Sequence, residues 1–326
     1  MIQTDTQSKR LRLFNSAVSF LLIVGAVLCI YTPDNIAMKG WASYAAQITM
    51  GYWLLGLFFL AVKQARLTMV SFVCCAFLCI YLKSATNPAL QLPTKTGEPT
   101  FKVAQFNLSA HTGDYSSFLN VLRKNKADIV SIQDVSPDWW HVLEDSLRIM
   151  YPHQCSYQTL GFFSMKVLSR EPYSVCDTLF CDNVPSLILG FKNTSKGKPL
   201  YIISTYIAPP LFSSAYRQLQ KQLDTIAFQI KRLNAPTLTV GDYNIAASSA
   251  EVQQFRQLAN LNDSRRGYRP SRIDGHFSLF DVPTDHIFYT NHFNCIDFQT
   301  ISGVESERLG ILGVYQFVQD SLIVHR

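Results

Sequence analysis

Three long apolar runs occupy the first quarter of the chain and predict helices that cross a membrane. They extend over residues 14–31, 42–62 and 67–82. A helix needs about 20 apolar residues, and no fewer than about 17, to cross a hydrocarbon core of about 30 Å. The third run is marginal in length, but it contains no charge and is bracketed by Arg66 and Lys83. We therefore predict a membrane anchor of three transmembrane helices over residues 1–83.

Two alternatives for these runs are a cleaved signal peptide and buried helices of a soluble core. Bases precede the first run, as in a signal peptide, but two more apolar runs follow and no clear small-residue cleavage site is present. Aromatic residues stand toward the run ends, as they do at membrane interfaces. They are Tyr31, Trp41, Tyr44 and Tyr81. A polytopic transporter fragment is also disfavoured, because no charged residue occurs inside the runs.

The basic residues that flank the runs predict the orientation of the anchor. Lys and Arg are in excess on the cytoplasmic side of membrane proteins. The N-terminal tail carries three bases and the turn over residues 63–66 carries two, whereas the first loop carries only Lys39. The N-terminus is therefore expected in the cytoplasm. Three crossings then place everything after Lys83 on the extracytoplasmic side.

The rest of the chain reads as a linker followed by one domain. Residues 84–100 contain three prolines and few large apolar residues, which is typical of a linker. Strand-like and helix-like stretches then interleave over residues 101–326. Strands are predicted at 101–109, 128–135, 162–168, 186–191, 200–207, 237–240, 285–289, 295–301 and 311–318, and helices at 115–126, 137–150, 213–233 and 250–259. Ser136 is a plausible N-cap. This succession favours a core of two β-sheets flanked by helices.

Composition and charge narrow the class of protein. The 326 residues are 48% hydrophobic and 16% charged, which excludes disordered and collagen-like chains. The net charge of +6 invites a nucleic-acid interpretation, but residues 1–100 hold eight bases and three acids. The remaining 21 bases and 20 acids are nearly balanced. The domain therefore has no bulk positive field for DNA or RNA.

Eight cysteines divide evenly between the anchor and the domain. The four in the domain are Cys155, Cys176, Cys181 and Cys295. On an oxidising side of the membrane, Cys176 and Cys181 are close enough in sequence to bridge, and free buried thiols are the alternative. Connectivity does not follow from spacing. Neither a CxxC nor an HExxH zinc motif occurs.

Short polar clusters follow apolar strand-like runs throughout the domain. They contain Gln105 and Asn107, Gln133 and Asp134, Tyr206, Asp242 and Asn244, Asp285 and His286, and finally Ser306, Glu307 and Arg308. Carboxylates and amides that converge from strand ends form an oxygen-rich cup, which is the ligand set that Mg²⁺ prefers. A divalent ion there can hold a phosphoryl oxygen and lower the pKa of its water.

Each cluster also has an ordinary structural explanation. GDYN forms a good turn, because Gly and Asn tolerate positive φ. The Gln133–Asp134 pair suits local capping before a helix, His286 suits a structural hydrogen bond, and Tyr206 suits a packed aromatic. It is the order and spacing of the clusters together that favour a site.

The ordered set resembles the endonuclease/exonuclease/phosphatase superfamily, with its deoxyribonuclease-I-like fold, from residue 101 to about 318. GDYN and TDHIF match the family's Gly-Asp-Phe-Asn and Asp-His-Ile, and LSREP at residues 168–172 is similar to a strand-edge segment of the family. The resemblance implies an α+β fold, a four-layer α/β/β/α sandwich. With the N-terminal spans, the layout is similar to that of a membrane-anchored bacterial branch.

The resemblance also implies a metal-dependent hydrolase that acts on a phosphate ester with a single Mg²⁺ or Mn²⁺. Asn107 and Asn244 would contact phosphate or metal, and Asp242 would orient or activate the attacking water. Asp285 would position these residues without itself contacting the metal or the phosphate. The implied metal ligands are Asp134, Glu307 and Asn107.

Three departures from the family pattern affect this expectation. Asp134 stands where the family has Glu, and Tyr206 stands where it has His. The terminal Ser-Asp-His is Ser306-Glu307-Arg308 here. A guanidinium stays protonated near pH 7, so Arg308 can neutralise phosphate but cannot exchange a proton as imidazole does. Two interpretations follow: a weakened phosphodiesterase, and a degenerate domain that binds a phosphorylated ligand without turnover.

An arginine cluster precedes the DHIF strand. It consists of Arg265, Arg266, Arg269 and Arg272. Arg265 and Arg266 would clamp a phosphate, and the alternative is a solvated surface loop. The balanced charge of the domain argues against a long duplex, so a lipid headgroup or a small phosphodiester suits the site better than a nucleic acid. No protein partner is inferred.

Overall fold

The computed structural model describes residues 2–33, 35–85, 97, 99–108, 115–159, 163–192, 199–266, 282–302 and 308–318. Of residues 2–9, 11, 36, 302, 308 and 309, it describes the main chain only. The chain divides into two compact units, the N-terminal helices and a domain of two β-sheets.

Four helices form the N-terminal unit: α1 (Ile2–Tyr31), α2 (Ile36–Ser43), α3 (Ala45–Ala61) and α4 (Ala65–Ala85). Among the described residues, Arg12–Tyr31 and Ala65–Ala85 are long and apolar enough to cross a membrane. The α2–α3 pair, bent by 71°, is a third crossing only if it acts as one span. The second predicted run, residues 42–62, is helical over Ala45–Ala61, with the bend at Tyr44 near its start. Ser43 Oγ donates to Lys39 O at 3.0 Å, a bond that often bends helices.

The domain is built on two six-stranded sheets. The first has the order β11-β12-β1-β2-β4-β3, and the second has the order β5-β6-β7-β8-β10-β9. Their strands are β1 (Thr100–Asn107), β2 (Ile129–Gln133), β3 (His153–Tyr157), β4 (Met165–Ser169), β5 (Val175–Cys181), β6 (Val184–Phe191), β7 (Leu200–Tyr206), β8 (Thr237–Asp242), β9 (Leu261–Asp263), β10 (Asp285–Thr290), β11 (Phe293–Ser302) and β12 (Arg308–Phe317).

Helices cover the outer face of each sheet. The α5 (Tyr115–Asn125) and α6 (Pro137–Leu147) helices pack on the first sheet, and α7 (Ser213–Leu233) and α8 (Ala250–Ala259) pack on the second. A third apolar core fills the space between the sheets, with Val103 and Ile129 facing Leu189 and Val240. The expected α+β four-layer sandwich is confirmed.

Three strands, β3, β5 and β9, lie outside the sequence prediction. They are three of the four edge strands of the two sheets. Much of β5 faces solvent, so it lacks the apolar pattern by which buried strands are identified. A disulfide joins Cys155 on β3 to Cys176 on β5, whereas Cys181 is free and buried. The suggested Cys176–Cys181 bridge is therefore wrong, because Cys176 pairs across the two sheets.

Strand directions bring the polar clusters to one edge of the sandwich. The β1–β2 and β7–β8 pairs are parallel, so their carboxyl ends coincide. The antiparallel strands β10 and β12 begin at this edge: Asp285 lies opposite Asp242, and Gly310 lies opposite Phe106. The cluster residues therefore meet although they are far apart in sequence.

Candidate active site

Asp242 lies at the centre of the candidate site. Asn107 Nδ2 donates to Asp242 Oδ2 at 2.7 Å, and Asn244 N donates to Asp242 Oδ1 at 2.9 Å. Both oxygens accept hydrogen bonds, which suits an ionised carboxylate. Asp242 is only 6% exposed, and its partner Asn107 comes from the other sheet. The carboxylate is thus held from both halves of the sandwich.

The GDYN turn has a different basis from the one expected. Asn244 adopts a φ of 51°, which is the left-handed conformation that Asn tolerates. Gly241 lies in β8 without such a φ, and a Cβ there would be 1.8 Å from Thr205 O. Gly241 is therefore required by close packing of β8 on β7, and only Asn244 makes the turn. Asn244 Nδ2 also donates to Ile207 O at 2.8 Å.

Tyr206 is a packed aromatic that also faces the carboxylates. It is buried, and the Phe163 ring contacts it edge-on with centroids 5.9 Å apart. Burial, followed by the nearby charges of Asp242 and Asp134, raises the pKa of Tyr206 to about 12. Its hydroxyl therefore stays protonated near neutral pH.

Asp134 lies just beyond β2 with a φ of 55°. It is half-buried, and this burial raises the pKa of its carboxyl. Its charge acts on Tyr206, so it lies near the Asp242 side of the site. The capping role goes to Ser136, whose Oγ accepts from Trp139 N at 3.4 Å, as expected for the N-cap of α6.

A buried amide network supports Asp285. Gln105 Nε2 donates to Asp285 Oδ1 and to Gln133 Oε1, both at 2.8 Å. Gln133 Nε2 in turn donates to Ser131 Oγ at 2.6 Å and to Ser204 Oγ at 3.2 Å. The network joins both sheets beneath the site. The sequence placed both glutamines in the clusters but gave Gln105 no role and Gln133 only a capping alternative. The available signal was an amide at an inward strand position.

One more supporting residue was missed. Gln222 on α7 donates from Nε2 to Tyr206 O and to Thr205 Oγ1, both at 3.1 Å. The signal was a glutamine on the buried face of an amphipathic helix. Its bonds fix the end of β7, and hence the position of Tyr206.

The structure corrects both interpretations of Arg265. Its side chain is 2% exposed, and Nη2 donates to Asp285 O at 2.7 Å. The guanidinium also lies 5.1 Å from the centre of the Phe298 ring. Arg265 is therefore neither a solvated loop residue nor a solvent-facing phosphate clamp. Its buried guanidinium supports Asp285 from the interior of the domain. Arg266 is half-buried with its charge near Asp263 and Cys295, while Arg269 and Arg272 lie outside the described residues.

His286 is a structural residue, as the sequence favoured. It is fully buried, and its Nε2 pairs with Ile245 O at 3.0 Å. Burial lowers the pKa of its imidazole to about 3, so the ring is neutral near pH 7. It has no access to a reacting group and is not a candidate base.

The predicted metal ligands are described only in part. Asp134 and Asn107 lie at the shared edge, Glu307 lies outside the described residues, and Arg308 is described by its main chain alone. Within the described ranges, no three His, Cys, Asp or Glu side chains group as a metal site. The donors at this edge are carboxylate and amide oxygens, a chemistry that fits a hard divalent ion.

Comparison with known proteins agrees with this geometry. The model of the Endonuclease/Exonuclease/phosphatase family matches residues 104–306. No curated protein matches the chain. The endonuclease/exonuclease/phosphatase from Beutenbergia cavernae is similar in structure, with a TM-score of 0.56, 17% identity and coverage of 67% of this chain and 72% of that one.

Two further solved structures share the fold. An endonuclease/exonuclease/phosphatase from Bacteroides vulgatus has a TM-score of 0.56 and 13% identity, covering 68% of this chain and all (100%) of its own. D. rerio TDP2, complexed with a single strand DNA product, has a TM-score of 0.55 and 15% identity, covering 67% of this chain and 100% of its own. The family model spans more than half of the sequence, and the two-sheet sandwich agrees with it. The chain therefore belongs to the endonuclease/exonuclease/phosphatase family.

Proposed function

We propose that this protein is a membrane-anchored, metal-dependent phosphodiesterase, weakened by the replacement of its terminal catalytic histidine. The family indicates phosphoester hydrolysis in general. The observation that carries the proposal is the buried carboxylate of Asp242, held at both oxygens by Asn107 and Asn244. Such a carboxylate is already oriented before the substrate binds, as a general base must be to accept a proton.

The residues around Asp242 have complementary roles in this proposal. Asp242 orients the attacking water and accepts its proton as the water oxygen bonds to phosphorus. The ester P–O bond breaks, the leaving oxygen takes a proton from solvent, and the protonated Tyr206 hydroxyl donates a hydrogen bond to the phosphoryl group. Asp134, Glu307 and Asn107 would hold one Mg²⁺ or Mn²⁺, which neutralises phosphoryl charge and lowers the pKa of bound water. Gln105 and Arg265 donate hydrogen bonds to Asp285 and so fix its position next to these residues.

Arg308 takes the place of the family's histidine at the start of β12. A guanidinium stays charged, so it stabilises the negative charge of the phosphate without exchanging protons. General acid–base help is typically worth about 10²- to 10⁴-fold in rate. This replacement is also what favours the second candidate function, a degenerate domain that binds a phosphorylated ligand without turnover.

The test measures hydrolysis of a phosphodiester by the full chain in lipid nanodiscs, with Mg²⁺ or with a chelator. The natural protein should be weak and metal-dependent. Arg308→His should raise kcat by up to about 10²- to 10⁴-fold, because it restores a group that exchanges protons near pH 7. Asp242→Ala should abolish activity. Arg232→His, which changes an exposed arginine on α7, is the matched control.

Two results would change the assignment. If neither the natural protein nor the Arg308→His variant hydrolyses the phosphodiester while Mg²⁺ still binds, the degenerate binding domain is favoured. Fast metal-dependent hydrolysis that Arg308→His removes shows that Arg308 is an adapted catalytic group, and the degenerate alternative is then dropped.

A further inference from the structure

Two adjacent apolar side chains are exposed on the loop that follows β7. Leu211 is 76% exposed and Phe212 is 59% exposed, and Ala208 and Pro209 also face solvent. Apolar side chains exposed singly are ordinary on soluble domains. An adjacent pair on a loop that leaves the candidate site indicates a contact surface.

This loop begins inside the site. Ile207 N donates to Asp242 O at 2.9 Å, and Ile207 O accepts from Asn244 Nδ2 at 2.8 Å. Leu211 N donates to Pro209 O at 2.9 Å, and the two prolines at 209 and 210 restrict the backbone. Leu211 follows Ile207 by four residues, so their Cα atoms are within about 14 Å of each other.

The charges near the loop suit a membrane surface. Residues 207–216 carry no charged side chain, and the next residue, Arg217, is an exposed base on α7. Exposed apolar side chains can insert at the headgroup boundary of a bilayer, and a base beside them is attracted to anionic headgroups. The balanced charge of residues 101–326 gives no general attraction to nucleic acid.

We propose that residues 208–213 contact a phospholipid bilayer, and that the candidate site acts on a phosphodiester in a lipid headgroup. This inference rests on the proposed function and on the membrane anchor. The headgroup zone is about 5 to 8 Å thick on each side of the hydrocarbon. Leu211 lies within about 14 Å of Ile207, so it can touch the boundary of the acyl chains while the site faces the headgroups. The 14 residues between α4 and β1 span at most about 50 Å.

The first test compares two phosphodiesters with the full chain in nanodiscs of phosphatidylcholine and phosphatidylglycerol. One substrate is a nanodisc phospholipid and the other is soluble bis(p-nitrophenyl) phosphate. Leu211→Asp with Phe212→Asp should lower the ratio of lipid to soluble kcat/KM at least about tenfold, because the apolar contact is lost. Phe228→Asp, at a phenylalanine 69% exposed on α7, is the matched control and should leave the ratio unchanged. An equal loss on both substrates, or no loss, overturns the proposal.

A second readout does not depend on turnover. Phe212→Trp in nanodiscs that contain brominated phosphatidylcholine should show quenching beyond that of the natural protein, and Phe228→Trp should not. If neither substrate is hydrolysed, the proposed function fails and this quenching alone decides whether the loop meets the bilayer. Absent quenching at residue 212, or equal quenching at both positions, assigns the loop to solvent or to a protein partner and overturns the proposal.

Discussion

Gln105 shows how a single buried side chain determines the shape of this site. Its Nε2 supplies the hydrogen bonds to Asp285 Oδ1 and Gln133 Oε1, and among the described residues its own buried Oε1 finds no hydrogen-bond partner. An unsatisfied buried acceptor is costly. The amide is therefore placed for its donor group, which holds the Asp285 carboxyl in position.

Removing this donor should cost both stability and activity. Gln105→Met keeps the length of the side chain but removes a donor from two buried acceptors, so the free energy of unfolding should fall by about 1–3 kcal/mol for each. The measurement is denaturant unfolding of the full chain in detergent. Gln229→Met removes a different buried glutamine, on α7, and should cost less. An equal loss in the two variants would contradict the role given to Gln105.

The sequence was informative for residues with short-range motifs and uninformative for residues whose role depends on burial. The positions of Asp242, Asn244 and Asn107 at one edge follow from strand-end motifs. The burial of Arg265 does not follow from a motif. The residues after it include glycine and proline, and this local pattern gives no indication that the arginine side chain is buried. Burial depends on β10 and β11, which place Asp285 and Phe298 against its guanidinium.

At the scale of elements, patterning predicted the inner strands and the helices well. The bounds of α7 and α8 agree with the prediction to the residue, because each has a continuous apolar face. The α7 helix ends at Leu233 and is capped by Asn234, whose φ of 43° suits a C-terminal cap. The edge strands β3, β5 and β9 were not predicted, because a strand that is short or partly exposed has no strong alternation of apolar and polar residues.

The β7–β8 pair carries Tyr206 and Asp242, and it depends on a glycine. Gly241→Ala would place a Cβ 1.8 Å from Thr205 O, which is main chain and cannot turn away. The strands must separate, and overpacking of this kind typically costs about 1–3 kcal/mol. Gly97→Ala, where no atom of the described residues lies within 4 Å of the added Cβ, is the control. Equal unfolding midpoints for the two variants would show that β7 and β8 tolerate the separation.

For the whole molecule, the number of membrane crossings determines the compartment of the domain. The basic flanks favour a cytoplasmic N-terminus. If only Arg12–Tyr31 and Ala65–Ala85 cross, the domain lies in the cytoplasm, and if the bent α2–α3 pair also crosses, the domain lies outside. Disulfides persist in oxidising compartments and are rare in the cytosol. The Cys155–Cys176 bond therefore favours three crossings.

The last prediction is that the domain is exported and that its disulfide is formed in cells. Reporter fusions after Lys83 and after Arg326 should both score as extracytoplasmic, because three crossings follow a cytoplasmic N-terminus. Thiol alkylation without reductant should leave Cys155 and Cys176 unlabelled even after unfolding. Cys155→Ser should lower the free energy of unfolding by about 2–5 kcal/mol, and adding Cys176→Ser should cost little more, since both changes break the same bond. Cys295→Ser, at a free buried thiol, is the control. Cytoplasmic reporter signals together with a reduced Cys155–Cys176 pair would mean that α2 and α3 do not cross, and the anchor would then have two spans.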